Sequence, residues 1–351
     1  MVNTNNKLRI AVLMGGLSSE RAISLSTGRM ILDSLDRSKY EVEAIDAAMI
    51  PGGRRHPEPG SGRNIEAVAE AERAIQQKYG GLKSMERLMS NGCECIDAAF
   101  IALHGRFGED GTIQGMLELL GIPYTGSGVL ASALAMDKIA CKRVLKSAGV
   151  SVPDSIDLLT RAECQNPEII AQAESLGYPL MVKPSRQGST IGMSKVTSAG
   201  DLIAAVEEAL KYDSQVLIER FVPGTEITVG VLGNRRPEPL PIIEIVPAKG
   251  FYDYEAKYNP GATEEIIPAR ISKAAEDKAI EAAIRSHKAI GCRGMSRVDL
   301  IVKTDDEVVV LEVNTIPGMT PTSLLPTAAK AAGIDFPELL DRLIKYALED
   351  E

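Results

Sequence analysis

Residues 296–314 read SRVDLIVKTDDEVVVLEVN, two apolar runs separated by a polar stretch. Runs rich in β-branched residues on either side of a polar turn predict a β-hairpin. Side chains two residues apart in a strand share one face, so Glu312 and Asn314 lie together in a segment whose composition otherwise favours burial. Taken alone, such a polar pair favours an edge strand with one solvated face.

The register of this hairpin instead favours a functional role for its polar face. If the turn is centred on residues 305–306 and the pairing continues without a slip, Asp299 faces Glu312. Arg297 then faces Asn314 on the same side of the hairpin. Two facing carboxylates repel each other unless a cation lies between them. Oxygen ligands suit Mg²⁺ or Mn²⁺, so the hairpin predicts a metal site that holds nucleotide phosphates.

The composition limits the class of protein. The 351 residues allow two or three domains with a sizeable core, and 44% hydrophobic and 25% charged residues are typical of soluble globular proteins. A net charge of −9 argues against a nucleic-acid-binding surface, which needs a basic face. No apolar run approaches the roughly 20 residues of a membrane span, and the start lacks a cleavable signal pattern. Five cysteines without metal-ligand spacing indicate reduced thiols in the cytoplasm.

The first part of the chain alternates between strand and helix patterns. Residues 7–16 (KLRIAVLMGG), 40–47 (YEVEAIDA) and 95–105 (CIDAAFIALHG) are predicted strands separated by helical segments. This alternation predicts an α/β domain with a doubly wound parallel sheet. Residues 51–91 interrupt it as an insertion, with a helical pattern that is broken at Gly80–Gly81. We find no chemistry in this insertion.

The remaining chain has an α+β pattern. Residues 178–184 (YPLMVKP) and the strand after the Gly-rich turn that follows are expected to pair in antiparallel fashion. Further strands, a helix near 273–291, the hairpin and a terminal helix at 335–348 complete the chain. We therefore expect three domains, comprising residues 1–127, 128–224 and 225–351.

Several motifs in this order resemble one family. They are GGLSSER (15–21), ALHGRFGEDGTIQGMLELLGIPYTGSG (102–128), MDK (136–138), VKPSRQGSTIGMSKV (182–196), YDYEAKY (252–258) and LEVNTIPGMTPTSL (311–324). Together they resemble the D-alanine–D-alanine ligases of the ATP-grasp superfamily, from Leu8 to about Ala347 and apart from the insertion. An exposed sheet layer in the first domain favours a homodimer. The resemblance implies an enzyme in which the two-domain ATP-grasp fold follows the N-terminal domain. Its implied product is D-alanyl-D-alanine for peptidoglycan, made from ATP and D-alanine through D-alanyl phosphate.

The resemblance also implies how the nucleotide is bound. Lys138 and Lys183 correspond to cationic clamps on the phosphates, and the small residues around Gly188 allow backbone N–H groups to contact phosphate oxygens. Glu219 is expected to accept a hydrogen bond from the adenine amino group, and Glu226 from the ribose hydroxyls. Further implied nucleotide contacts are Ser189, Arg220, Phe221, Val222 and Lys257.

The implied catalytic groups surround the hairpin. Asp299, Glu312 and Asn314 correspond to the ligands of two Mg²⁺ or Mn²⁺ ions, with Glu312 bridging them. Arg297 is expected to face the tetrahedral centre that forms when the second D-alanine attacks. The backbone N–H of Gly318 is expected to complete this oxyanion site.

Substrate contacts are implied at both ends of the chain. Glu20 corresponds to the residue that holds the ammonium group of the first D-alanine, with Ser189 and Tyr258 as its hydrogen-bonding partners. Tyr258 favours an amine nucleophile, and hence a dipeptide product, over D-lactate. His104 is a further implied substrate contact. Ser323 and the N–H of Leu324 are implied to bind the carboxylate of the second D-alanine.

Each of these residues also has an ordinary structural interpretation. An acidic residue at a helix N-terminus, such as Glu20, is common. Lys138 fits a solvated helix start, His104 a structural histidine, and Arg297 a solvated salt bridge.

Two other functions remain open from the sequence. Another ATP-grasp carboxylate–amine ligase would keep the metal face and the phosphate loop but use a different amino-acid pair. A nucleotide-binding module without catalysis would not need the arginine at position 297.

Overall fold

The computed structural model describes residues 7–49, 65–89, 95–158, 161–188, 191–247 and 263–349. The strands are β1 (Leu8–Met14), β2 (Tyr40–Asp46), β3 (Ala98–Ile101), β4 (Ser155–Leu158), β5 (Leu180–Pro184), β6 (Ser194–Val196), β7 (Val216–Arg220), β8 (Thr225–Leu232), β9 (Glu238–Pro239), β10 (Ile243–Pro247), β11 (Thr263–Ile266), β12 (Met295–Val302) and β13 (Val308–Asn314). The helices are α1 (Arg21–Ser34), α2 (Ile65–Tyr79), α3 (Thr112–Leu120), α4 (Val129–Met136), α5 (Lys138–Ser147), α6 (Pro167–Ser175), α7 (Ala199–Ala209), α8 (Lys273–Ile290), α9 (Leu324–Ala331) and α10 (Phe336–Leu348), with 3₁₀ helices at Met85–Met89 and Arg161–Gln165. Every helix in these ranges is too short or too polar to cross a lipid bilayer.

The first sheet is parallel, as predicted, and its strand order is β2–β1–β3. Its central strand is buried on both faces, and Ile10 to Met14 have no solvent exposure. Continuous apolar runs are typical of parallel strands that are covered on both sides. The carboxyl ends of these strands therefore meet at one edge, which is where such sheets bind ligands.

Part of the predicted insertion belongs to this first core. Helix α2 ends at Tyr79, directly before Gly80–Gly81, as predicted. Ile75 on this helix is fully buried in the core, and Lys83 forms a parallel bridge with Ile45 of β2. Residues 65–89 are thus integral to the first layer, whereas residues 50–64 and 90–94 lie outside the described ranges.

A buried ion pair fixes the turn between β1 and α1. The Arg21 guanidinium donates to both carboxylate oxygens of Asp46, at 2.9 and 2.7 Å, and also to Glu72 of α2 at 2.8 Å. Gly15 has φ +76°, and a Cβ there would lie 2.4 Å from the Asp46 carboxylate, so this close approach requires glycine. The Gly16 N–H also donates to Asp46, at 3.2 Å. The start of α1, and Glu20 before it, are held in place as a result.

The second sheet is antiparallel, with strand order β4–β7–β5–β6. The predicted antiparallel pair is confirmed by β5 and β6, where Leu180 lies opposite Val196. Helix α7 packs on both of these strands, and its buried residues Leu202 and Val206 enter the core of this sheet. The phosphate loop predicted from the sequence connects β5 to β6.

The third sheet contains the decisive hairpin. Its antiparallel strands follow the order β11–β10–β8–β12–β13, and β9 pairs with β8. Arg297 lies opposite Asn314, and Asp299 lies opposite Glu312, so both predicted pairs are confirmed. The four side chains therefore share one face of the sheet.

The predicted register without a slip is wrong nearer the turn. The pairing shifts by one residue beyond Asp299, which leaves Leu311 as the extra residue of a β-bulge. The turn has three residues, 304–306, because the Lys303 N–H bonds to the Glu307 carbonyl, and the last turn residue has φ +59°. The turn is one residue longer than predicted, and the bulge adds one unpaired residue to β13. These two offsets cancel, so both functional pairs keep their predicted partners.

Helices from other parts of the chain cover the third sheet. Helix α8 packs on it through Ala275, Ala279 and Ala283, which are fully buried and repeat at helical spacing. Ala131 of α4 and Leu145 of α5 enter the same core, although both belong to the range expected for the second domain. The three domain boundaries therefore stay a prediction.

The last two helices return to the first sheet. Leu339, Leu340 and Leu343 of α10 belong to the core that β1 and β3 form. The Tyr40 hydroxyl of β2 donates a short hydrogen bond to Asp341 of the same helix. The first and third units are therefore packed together.

We expect Asp46→Asn to lower the free energy of unfolding by on the order of 3 kcal/mol, because Arg21 loses its buried counter-charge. Glu72→Gln is the matched control: this side chain is 43% exposed, so its loss costs at most about 1 kcal/mol. Calorimetric unfolding measures both variants. An equal or smaller effect of Asp46→Asn would contradict this assignment of the ion pair.

Candidate active site

One large cavity lies where the three sheets meet, with a volume of about 930 Å³. The sequence-predicted residues that line it are Glu20, His104, Lys138, Lys183, Gly188, Glu219, Arg220, Phe221, Val222, Glu226, Arg297, Asp299, Glu312, Asn314, Gly318, Ser323 and Leu324. Ser189, Lys257 and Tyr258 lie outside the described residues. Every predicted site residue that the structure describes therefore faces one space.

Glu20 is buried at the end of the first sheet. It occupies the N-cap position of α1, but its side chain makes no capping hydrogen bond. Its carboxylate instead approaches the loop after β3, since a Cβ on Gly105 would lie 2.8 Å from Glu20 Oε2. A Cβ on Gly188, in the phosphate loop, would lie 3.5 Å from the same oxygen. Glu20 therefore faces the loop that connects two strands of the second sheet.

His104 lies beside Glu20 in a neutral form. Burial lowers the pKa of its imidazole, and Arg297 lowers it further against the opposing effect of Glu20. Its Nε2 atom is 3.2 Å from the Thr27 hydroxyl, and its backbone carbonyl accepts a hydrogen bond from Ser18 at 2.7 Å. A neutral imidazole in this position can exchange a hydrogen bond with a substrate without adding a charge.

Glu109 is a second carboxyl group in this wall, which the sequence analysis did not single out. It accepts a hydrogen bond from the Gly105 N–H at 2.7 Å. Desolvation by the surrounding protein, followed by repulsion from Glu20, raises its pKa to about 8. At neutral pH Glu109 is therefore largely a neutral acid beside the Glu20 carboxylate.

Asp299 is the most strongly constrained group on the opposite wall. Its Oδ1 accepts from the Thr228 hydroxyl at 2.7 Å and from Arg297 Nε at 2.9 Å. Its Oδ2 accepts from Arg297 Nη2 at 2.9 Å and from the Asn314 amide at 3.2 Å. Arg297 therefore forms a largely buried, bidentate salt bridge with Asp299. The ordinary structural interpretation of this residue, a solvated salt bridge, does not apply.

The oxygen-bearing groups on this face match the preference of a hard divalent ion. Asp299 and Glu312 lie opposite each other with Asn314 beside them, and all three line the cavity. Carboxylate and amide oxygens are the ligands that Mg²⁺ and Mn²⁺ prefer. In the ranges described, no cluster of three or more His, Cys, Asp or Glu side chains forms a metal site.

A buried charge cluster forms the wall between the second sheet and α5. Glu219 of β7 makes short ion pairs with Lys183 of β5 and with Lys142 of α5. Burial opposes ionisation of Glu219, but the two lysines outweigh it and lower its pKa to about 2. Lys142 was not identified from the sequence, because a lysine on an amphipathic helix normally belongs to the solvated face.

Lys138 reaches the phosphate loop from the start of α5. Asp137 caps this helix by accepting from the N–H groups of Ile139 and Ala140, both at 3.1 Å. The Ser185 hydroxyl donates to the same carboxylate at 2.9 Å. The Lys138 ammonium donates to the Gln187 carbonyl at 2.7 Å, so it is attached to the loop rather than solvated.

The segment after β7 forms another part of the wall. The Arg220 and Phe221 N–H groups donate to backbone carbonyls of Asp154 and Pro179 at 2.9 and 3.0 Å. The Lys195 ammonium lies 3.7 Å from the centre of the Phe221 ring, within the range of a cation–π interaction. The chain after β7 is thereby held against the second sheet, with Val222 and Glu226 further along the cavity.

The loop after β13 leads into the N-terminus of α9. A Cβ on Gly318 would lie 2.9 Å from the Ser323 hydroxyl, so a larger residue would have to displace this side chain. Ser323 is the N-cap residue, but its hydroxyl contacts the Thr320 hydroxyl at 2.8 Å instead of capping the helix. The first N–H groups of α9, including that of Leu324, have no acceptor within the helix, as at any helix N-terminus.

Two family models match this chain. One, described as "D-ala D-ala ligase N-terminus", matches residues 9–127. The other, described as "D-ala D-ala ligase C-terminus", matches residues 144–345. Together they cover most of the chain.

Relatives of known identity match over nearly the full length. The D-alanine–D-alanine ligase of Pelotomaculum thermopropionicum is 45% identical over 347 residues, which cover 98% of each chain. A crystal structure of D-alanine–D-alanine ligase from Bacillus anthracis complexed with ATP is 35% identical, with a TM-score of 0.74 and 97% of both chains covered. The VanG D-Ala:D-Ser ligase from Enterococcus faecalis is 33% identical, with a TM-score of 0.79, 97% of this chain covered and 100% of that chain.

Glu109→Gln should raise the melting temperature, and the gain should grow between about pH 5 and pH 9. With a pKa of about 8 against an ordinary 4.5, the folded state binds more protons than the unfolded state in that interval, so Glu109 reduces stability as pH rises. The glutamine keeps an acceptor for the Gly105 N–H but has no proton to lose.

Glu207→Gln on α7 is the control, because this glutamate is exposed. Thermal unfolding of all three proteins across the pH range provides the measurement. Wild type and Glu109→Gln curves that run parallel at every pH would contradict the raised pKa.

Proposed function

Because the chain belongs to the D-alanine–D-alanine ligase family, we propose that it joins two D-alanine molecules with ATP converted to ADP and phosphate. Members of this family are ATP-dependent ligases that supply D-alanyl-D-alanine for peptidoglycan synthesis. The observation that carries the proposal is one cavity that joins two lysines, the acidic face of the hairpin and the buried Glu20. The reaction is expected to pass through D-alanyl phosphate.

We propose that two Mg²⁺ or Mn²⁺ ions are held by Asp299, Glu312 and Asn314, with Glu312 shared between them. The paired carboxylates on one face that lines the cavity support this set. Bound ions of this kind offset the charge that develops on a transferred phosphoryl group. Thr228 fixes Asp299 through its hydroxyl, which orients the carboxylate for a ligand.

The nucleotide is expected to lie between the second and third sheets. Lys138 and Lys183 bring positive charge to the phosphate loop, which supports their role as clamps on the phosphates. We assign adenine contacts to Glu219 and to Arg220, Phe221 and Val222, and ribose contacts to Glu226. Ser189 and Lys257, outside the described residues, remain predicted phosphate contacts.

The first D-alanine is assigned to the wall made by the first sheet. Glu20 supplies a buried carboxylate for the ammonium group, and neutral His104 lies next to it. This arrangement fixes the amino end and leaves the substrate carboxylate directed across the cavity toward the hairpin. Tyr258 remains the predicted partner that favours an amine as the second substrate.

The second D-alanine is assigned to the opening between the hairpin and α9. The free N–H groups at the start of this helix, with the Ser323 hydroxyl, suit a carboxylate. Arg297 and the Gly318 N–H lie on the same wall and support a site for the oxyanion of the tetrahedral intermediate. Holding both substrates in this geometry makes the attack of the second D-alanine effectively unimolecular.

We also propose a cytoplasmic homodimer. Its consumption of ATP supports the location, and Cys95, Cys141, Cys164 and Cys292 are free thiols. Helices α3 and α4 contact each other and expose two large apolar side chains, Leu119 at 91% and Leu130 at 72%. An apolar surface of this kind supports an interface there.

The second substrate distinguishes this proposal from its alternatives. We expect phosphate release from ATP and Mg²⁺ to depend on D-alanine, with D-alanyl-D-alanine as the product identified by mass spectrometry. D-Serine is the competitor to test beside it, because a related structure is a D-Ala:D-Ser ligase, and D-lactate tests the preference for an amine.

Turnover with another amino acid in place of D-alanine would support a different ligase. No release with any amino acid, although ATP binds, would support a binding module without catalysis.

Glu312→Gln should abolish turnover, by at least about a hundredfold, and leave the fold intact. The amide is neutral, so the site loses the charge that would bridge two cations. Binding of Mn²⁺ measured by electron paramagnetic resonance should weaken in parallel. Glu307→Gln, at an exposed position directly after the turn of the same hairpin, is the control. A near-normal rate for Glu312→Gln would remove the metal assignment.

A further inference from the structure

We infer that Lys142 is the permanent counter-ion of Glu219, and that it positions this carboxylate to select adenine nucleotides when Lys183 moves to the phosphates. The inference rests on the proposed nucleotide site and extends it by a residue that does not line the cavity. Lys142 is thus a positioning residue that acts through Glu219.

Each of the two lysines pairs with a different oxygen of the Glu219 carboxylate. Lys142 pairs with Oε2 of Glu219 and Lys183 with Oε1. All three side chains are nearly enclosed, with exposures of 6% for Lys142, 12% for Lys183 and 2% for Glu219. Each oxygen of Glu219 therefore has its own cationic partner, and the cluster carries one net positive charge.

Only two members of the cluster reach the cavity. Lys183 and Glu219 line it, whereas Lys142 lies behind them, one turn along α5 from Lys138. The backbone carbonyl of Pro153 is a further acceptor for Lys142, at 3.5 Å. Helix α5 therefore presents one lysine to the cavity and the next to the interior of the wall.

A nucleotide would separate the roles of the two lysines. Lys183 is the member of the pair that can turn toward a phosphate, and doing so would withdraw it from Oε1. Without Lys142, Glu219 would then be a buried carboxylate without a cation, an arrangement that strongly disfavours the charged form. With Lys142 in place, Glu219 stays charged and fixed while Oε1 becomes open to the ligand.

An open, ionised oxygen at this point selects the base. A carboxylate accepts a hydrogen bond from the 6-amino group of adenine and repels the 6-oxo group of guanine. Hydrogen bonds to charged groups are worth about 1.5–3 kcal/mol, which corresponds to a preference of roughly ten- to a hundredfold. Lys142 sustains this preference because it keeps the acceptor negative.

Lys142→Met tests the inference directly. We expect ATP affinity, measured by calorimetric titration, to fall at least about tenfold, and the ratio of ATP to GTP affinity to fall with it. In steady-state assays the KM for ATP should rise more than kcat falls, because Lys142 touches neither the phosphates nor D-alanine. Lys142→Arg should restore part of the affinity, since it returns a cation.

Lys146→Met is the matched control, one turn further along the same helix and exposed. It should bind ATP and GTP as the wild type does. Equal nucleotide preference in Lys142→Met and Lys146→Met would overturn the inference.

A second variant covers the case in which Lys142→Met does not fold. In Lys142→Met/Glu219→Gln the buried group is neutral, so the fold should return. Its amide can donate or accept, and the preference for ATP over GTP should disappear. A double variant that keeps the wild-type preference would overturn the inference. Failure of the wild type itself to bind ATP would instead refute the proposed function.

Discussion

The site depends on carboxylates that are held inside the protein. Asp299 and Glu219 are almost fully buried on strands that contribute to the apolar core, so bulk water screens their charges poorly. Each therefore needs a cation or a set of donors that the fold supplies. For Asp299 these donors are Thr228, Arg297 and Asn314, and for Glu219 they are two lysines.

The arrangement of the three sheets follows from this need. The parallel sheet brings Glu20 and His104 to its carboxyl edge, the second sheet brings Lys183 and Glu219, and the third brings the hairpin. Helix α10 packs back on the first core, which joins the units at the two ends of the chain. A cavity between separate sheets can place an ammonium-binding group opposite a phosphate-binding face, as a ligation of two small molecules requires.

Much of this was predictable from local patterns, and the exceptions have physical causes. Strand alternation predicts the parallel sheet, and period-two spacing predicts the pairs Arg297–Asn314 and Asp299–Glu312. The turn length was wrong by one residue, but the bulge at Leu311 restored the register. Lys142 and Glu109 were missed because burial of a charged side chain depends on which helix or loop covers it, and that information is not local. The resemblance to a family, rather than any periodicity, pointed to Ser323 and Gly318.

The bulge at Leu311 gives β13 one residue more than its pairing with β12 requires. In a hairpin without a bulge, a one-residue change in the turn would shift the pairing register along its whole length. The side chains of the functional pairs would then lie on the opposite face of the sheet. Here the irregularity lies between the turn and the functional pairs, so a shorter loop could be absorbed by straightening the strand at that point. Evolution can thus vary the exposed tip of this hairpin while the chemistry at its base stays aligned.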